Sequence, residues 1–77
     1  MYTVYVLKDD KGKIYKGVTN NIERRLKEHK SGYTLTTSKM TNCIIVYTET
    51  YDTFDKARKR EVYLKTAAGR RFLREKI

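Results

Sequence analysis

The sequence predicts a small α/β protein of the α+β type, with a three-stranded, mainly antiparallel sheet flanked by helices in the order β-β-α-β-α-α. Three observations lead there. A strand–turn–strand pattern opens the chain, one later apolar stretch has the length of a single further strand, and the remaining segments carry helical spacing bracketed by capping residues. At 77 residues there is room for one hydrophobic core, so residues 1–77 read as a single domain.

Tyr2-Thr3-Val4-Tyr5-Val6-Leu7 is rich in β-branched and aromatic residues and reads as the first strand. Asp9-Asp10-Lys11-Gly12 is a turn cluster in which Gly12 can take positive φ. Lys13-Ile14-Tyr15-Lys16-Gly17-Val18 then returns as the second strand of a hairpin. Asn20 is expected to cap a helix over roughly 20–31, with Glu23 completing a capping-box pattern and Gly32 as the stop. Residues 33–41, rich in Thr, Ser and Lys, read as loop. Cys43 to Glu49 is predicted as a strand covered on both faces. Thr53 or Asp52 caps a second helix running to about Thr66, and Gly69 separates it from a short basic helix carrying Phe72 and Leu73.

Charge narrows the function. Lys and Arg number 18 against 9 Asp and Glu, a formal net charge of +9. Most of it lies in residues 56–77, where Lys56, Arg58, Lys59, Arg60, Lys65, Arg70, Arg71, Arg74 and Lys76 face only Glu61 and Glu75. A one-sided basic surface attracts polyanions by releasing their counterions, which makes nucleic acid the expected partner. A charge excess that only maintains solubility is smaller and more evenly spread. The longest apolar run, Cys43-Ile44-Ile45-Val46-Tyr47, is far short of the roughly 20 residues of a membrane helix, so no membrane partner is expected. Met1 leads directly into strand-like sequence without the pattern of a secretory signal. The single Cys43 argues against a disulfide framework or a cysteine zinc site. The expected setting is the cytoplasm, and the expected state a monomer.

Several residues sit where a plain amphipathic pattern would not put them. Ile22, Leu26 and His29 form one helical stripe, with Arg25 beside it, so a guanidinium and an imidazole meet at the edge of an apolar face. Taken singly, Arg25 reads as a snorkelling side chain and His29 as an ordinary boundary histidine. Phe54, Ala57, Glu61 and Leu64 form a second stripe interrupted by a carboxylate. Such a carboxylate must be ion-paired, hydrogen-bonded or bound to a metal. In the hairpin, Tyr5 projects opposite to Val4 and Val6, and Tyr15 opposite to Ile14 and Val18. The two tyrosines share a face if paired residue numbers sum to an even value, and Gly17 leaves that face open to close approach. Cross-strand packing would also explain them.

Together these residues resemble the GIY-YIG nuclease superfamily. The likeness runs through Thr3-Val4-Tyr5, Tyr15-Lys16-Gly17, Thr19-Asn20 and Glu23-Arg24-Arg25-Leu26-Lys27-Glu28-His29, and resumes at Ala57-Arg58-Lys59-Arg60-Glu61 and Leu64-Lys65. It is most similar to small single-domain bacterial members, related to the nuclease domain of the excision-repair incision enzyme. The resemblance implies a three-stranded antiparallel sheet flanked by helices and metal-dependent hydrolysis of phosphodiester bonds in DNA. It implies catalytic roles for Tyr5, Tyr15, Arg25, His29 and Glu61, with Glu61 as the ligand of Mg²⁺ (or Mn²⁺). Lys16, Lys56, Lys59, Arg70, Arg71 and Arg74 are the expected nucleic-acid contacts, and repair or recombination proteins the expected further partners. Lys16 stands where the family usually has isoleucine, and no asparagine follows Asn42 to support the metal glutamate.

The roles are physically coherent. One carboxylate can hold Mg²⁺ when waters and phosphate oxygens complete its shell. Arg25 can fork onto the scissile phosphate and counter transition-state charge. Tyr5, with an ordinary pKa of about 10, needs nearby positive charge to take a proton from water, and His29 would orient it. The alternative is a non-catalytic basic nucleic-acid-binding module on the same fold, which needs only the cations.

Overall fold

The computed structural model describes residues 1–30 and 43–77, with the side chains of His29 and Lys30 excepted. The expected Gly32 helix stop and the loop over 33–41 lie outside those residues. The order is β1 (Tyr2–Lys8), β2 (Ile14–Thr19), α1 (Ile22–Lys30), β3 (Ile44–Tyr51), α2 (Phe54–Leu64) and α3 (Ala67–Lys76), as the sequence predicts.

One sheet runs β2-β1-β3 with both pairings antiparallel. The β1–β2 turn is held by Asp9, whose Oδ1 accepts from the backbone N–H groups of Lys11 (3.0 Å) and Lys13 (2.7 Å). Gly12 closes the turn at φ 85°, the left-handed conformation that favours glycine. Tyr5 pairs with Gly17 and Leu7 with Tyr15, so the even-sum register places both tyrosines on one face. Val4 pairs with Val18 and Val6 with Lys16, and these occupy the other face. A register shift between Val6 and Leu7 interrupts the β1–β3 ladder.

The core lies on the Val4 face. Val4 and Val6 are fully buried with Ala57 and Leu64 of α2, and Leu73 of α3 joins them. Burying a valine or leucine side chain contributes about 1.5–3 kcal/mol, so this cluster fixes both helices to the sheet.

Four local expectations are corrected. Asn21, rather than Asn20, caps α1, its Oδ1 accepting from the N–H of Arg24 at 3.0 Å. Glu23 therefore falls one residue short of the capping-box position. The strand beginning after Cys43 is a sheet edge and is not covered on both faces, with Ile44 62% exposed. Gly69 does not separate the last two helices. The break falls at Thr66, which caps α3 by accepting from the Gly69 N–H, and Gly69 is buried within α3. A Cβ there would collide with the backbone of Tyr63 and Leu64, so glycine is what lets α3 start against the last turn of α2.

Candidate functional site

The hairpin builds the first half of the site. Tyr5 is 1% exposed, and its ring lies across the strand pair onto Gly17, where a Cβ would sit 2.6 Å from the hydroxyl. The opening that the sequence suggested at Gly17 is thus filled by Tyr5 itself. Tyr15 packs beside it with ring centroids 6.1 Å apart, tilted by 41°. From α1, Arg25 Nε donates a long 3.4 Å hydrogen bond to the Tyr5 hydroxyl, and its Nη1 pairs with Glu28 at 3.0 Å. Arg25 also borders a cleft of about 290 Å³ shared with Tyr2, Val18 and Phe54, so it stands at the β2 edge within reach of both faces. His29 belongs to α1 one turn later, and its side chain lies outside the described residues.

Electrostatics distinguish the two partners. Burial pushes the Tyr5 hydroxyl up to about 12, more than the Arg25 guanidinium pulls it down. Tyr5 is therefore protonated at neutral pH. Its contact with Arg25 in turn raises the guanidinium above its ordinary value, so Arg25 is a permanent cation.

The second half comes from α2. Glu61 is 8% exposed, in line with buried Ala57 and Leu64, as the stripe predicts. Its Oε1 accepts from Arg58 Nη1, and its Oε2 lies 3.9 Å from Lys65 Nζ. α2 packs on the Val4 face, whereas Tyr5 and Tyr15 project from the opposite one. The structure thus brings Tyr5, Tyr15 and Arg25 together, and Glu61 approaches the sheet from the other side.

Glu61 can serve as a single-carboxylate cation ligand. Among the described residues no group of three His, Cys, Asp or Glu forms a closed cage, so any ion there takes most of its shell from water and substrate. Arg58 is 54% exposed and regains water on leaving Glu61, but the carboxylate, 10% exposed, then needs an incoming cation in its place.

Of the expected nucleic-acid contacts, Lys16, Arg70 and Arg74 line a common cleft between the hairpin and α3. Arg71 is on the outer side of α3 beside Arg70 and Arg74. Lys56 is paired with Asp52 at 3.1 Å, and Lys59 is exposed on α2.

One polar network was missed in the sequence. Glu49 of β3 accepts from Arg60 Nε (2.9 Å) and Nη2 (3.2 Å), and from the hydroxyls of Tyr47 and Tyr51. The Arg60 guanidinium also lies 4.8 Å from the Phe72 ring and 4.9 Å from that of Tyr63. Burial disfavours the Glu49 carboxylate, yet these hydrogen bonds outweigh it and hold its pKa below the ordinary value. The signal was the alternation Tyr47, Glu49, Tyr51, which puts all three on one strand face.

Comparison with known proteins fits this geometry. The model of the GIY-YIG catalytic domain matches residues 1–74. A UPF0213 protein of Staphylococcus saprophyticus is 32% identical over 72 residues, spanning 92% of this chain and 88% of the relative. A UPF0213 protein from an intergenic region of Autographa californica nuclear polyhedrosis virus is 45% identical over 31 residues, which is 40% of this chain and 30% of the viral one. The solution structure of a UPF0213 protein from Bacillus halodurans superposes with a TM-score of 0.60 at 26% identity, covering 97% of this chain and 84% of that one. With the family model spanning nearly all of its length and the two motif tyrosines paired beside Arg25, the chain belongs to the GIY-YIG domain family.

Proposed function

We propose that this protein is a metal-dependent endonuclease that hydrolyses phosphodiester bonds in DNA with low intrinsic sequence specificity. The observation that carries the reading is the packing of Tyr5 and Tyr15 against each other with Arg25 on the Tyr5 hydroxyl. A binding module needs only the cations, so two phenols packed beside a guanidinium favour the catalytic reading.

Arg25 binds the scissile phosphate, exchanging Glu28 for a pair of phosphate oxygens and countering the charge that grows on them. Tyr5 is buried and protonated, so in the free protein it is a hydrogen-bonding group that orients phosphate or water. It accepts a proton from water only when further positive charge reaches the site. Tyr15, more exposed than Tyr5, forms the outer wall. Glu61 would hold Mg²⁺ or Mn²⁺, which supplies Lewis-acid stabilisation of the developing charge and the leaving oxygen. Contacts to phosphates carry no sequence information, so accessory repair or recombination proteins would direct the cut.

A second reading, the non-catalytic nucleic-acid-binding module, is favoured by one observation. Both Glu61 oxygens face cations, on a helix opposite the tyrosine face.

Nicking of supercoiled and branched DNA with Mg²⁺ or Mn²⁺ separates the two. The nuclease reading expects Arg25→Gln and Glu61→Gln to lose about a hundredfold or more in rate while the thermal midpoint barely moves. Wild-type protein that binds DNA but never nicks it, or Glu61→Gln that cuts at the normal rate per folded molecule, overturns it.

A further inference from the structure

On the sheet face opposite the tyrosines, a cleft of about 320 Å³ opens between the hairpin and α3. Lys8, Lys16, Arg70 and Arg74 line it. Among the described residues none of these four makes an ion pair, in contrast to Lys56, Arg58 and Arg60. Its floor is apolar, formed by buried Leu73 with Ile14 and Ile77, each of the last two 38% exposed.

We propose that this cleft binds one unpaired nucleotide, so that the preferred nucleic acid carries a single-stranded segment. The proposal rests on the reading of the chain as a protein that acts on DNA. Duplex DNA turns its phosphates outward on a convex surface and keeps its bases stacked inside. It can touch protruding cations, but it has nothing to fill a concave, apolar-floored cleft. An unpaired nucleotide has both parts. Its phosphates meet the four cations, and its sugar and base cover Leu73, Ile14 and Ile77, with an arginine plane against the base. The volume is at the small end of ligand clefts, which suits one nucleotide. Lys16 supplies a further sign of an anion site. Its burial, and then its proximity to Arg70 and Lys65, make the ammonium harder to keep charged, a cost that a bound phosphate removes.

The test is binding in EDTA, so that cleavage plays no part. Fluorescence anisotropy is measured with a labelled oligothymidylate and with a blunt hairpin duplex of equal charge, across a series of salt concentrations. The wild type is expected to bind the single strand about tenfold more tightly. Ile77→Ser, at an exposed position of the floor, should weaken single-strand binding several-fold and leave duplex binding unchanged. Arg70→Gln should lower the single-strand salt slope by about 0.7. Unaltered circular dichroism of both variants shows that the fold is kept. Equal affinity for the two probes, or equal loss of both in Ile77→Ser, overturns the proposal. Retained single-strand preference in a protein that never nicks DNA would sink the nuclease reading and leave this one standing.

Discussion

The Tyr5 hydroxyl and the Arg25 Nε lie 3.4 Å apart, joining the middle of the central strand to a helix twenty residues later. Everything else in that half of the site follows from where this contact sits. The Tyr5 ring has to cross the neighbouring strand to reach Arg25, and it can do so only because residue 17 has no side chain.

Gly17→Ala tests that dependence. The new methyl would lie 2.6 Å from the Tyr5 hydroxyl and 2.7 Å from Cζ, so the ring must leave its place. The expected cost is about 1–3 kcal/mol, seen as a lowered thermal midpoint. DNA nicking per folded molecule should fall further than stability does, because the Tyr5–Arg25 contact is lost with the ring's position. An alanine variant with unchanged midpoint and unchanged nicking would show that the ring is not confined by Gly17.

Phenolate absorbance during alkaline titration should show Tyr5 ionising late, near 12 rather than 10.0. Because its folded pKa is raised, Tyr5 contributes stability that is fully present below pH 10 and is lost as the pH climbs towards 12. Arg25→Gln should move the ionisation higher still, since the guanidinium is the group that lowers it. Tyr5→Phe should remove one tyrosine from the late-titrating group, in which burial and the Glu49 carboxylate also place Tyr47 and Tyr51.

Glu49 makes the opposite prediction at acid pH. Its folded pKa is lowered, so its contribution is present above the ordinary glutamate range and lost as the pH falls through the folded value. Glu49→Gln should cost about 2 kcal/mol at neutral pH, the worth of a hydrogen bond to a charged group, because Arg60 loses its carboxylate between Tyr63 and Phe72. The variant's stability should also fall less steeply between neutral and acid pH than that of the wild type. Denaturant midpoints across that range check both points.

The order of elements and the burial of Glu61 were legible because each rests on a local period, whereas the hairpin register stayed a condition that alternation within one strand does not decide. Alternation in Val4-Tyr5-Val6 fixed which residues share a face, and the spacing of Ala57, Glu61 and Leu64 fixed which side of α2 is buried. What depends on distant packing was not legible. Gly69 looks like a helix separator in sequence, but its role is set by the backbone of Tyr63 and Leu64 lying against it. Burial of Tyr5 could not be weighed against the charge of Arg25 until the ring's surroundings were known, and here burial wins. The Glu49–Arg60 pair joins residues from different elements, which no single period reveals.

The strand order β2-β1-β3 also sets a sequence of assembly. Tyr5, Tyr15, Gly17 and Arg25 lie within the first thirty residues, and the β1–β2 pairing that gathers the tyrosines is a local contact that closes on the microsecond scale. β3 pairs with the other side of β1 across a long separation, Tyr2 against Tyr51, and such contacts form late because the intervening chain must first be drawn in. Glu61 follows β3 in the chain and docks on the same central strand. The phenols and the guanidinium therefore rest on contacts of short sequence separation, and α2, which carries the carboxylate, lies beyond the long-range β1–β3 pairing. A nascent chain carries the tyrosine pair well before it can present Glu61.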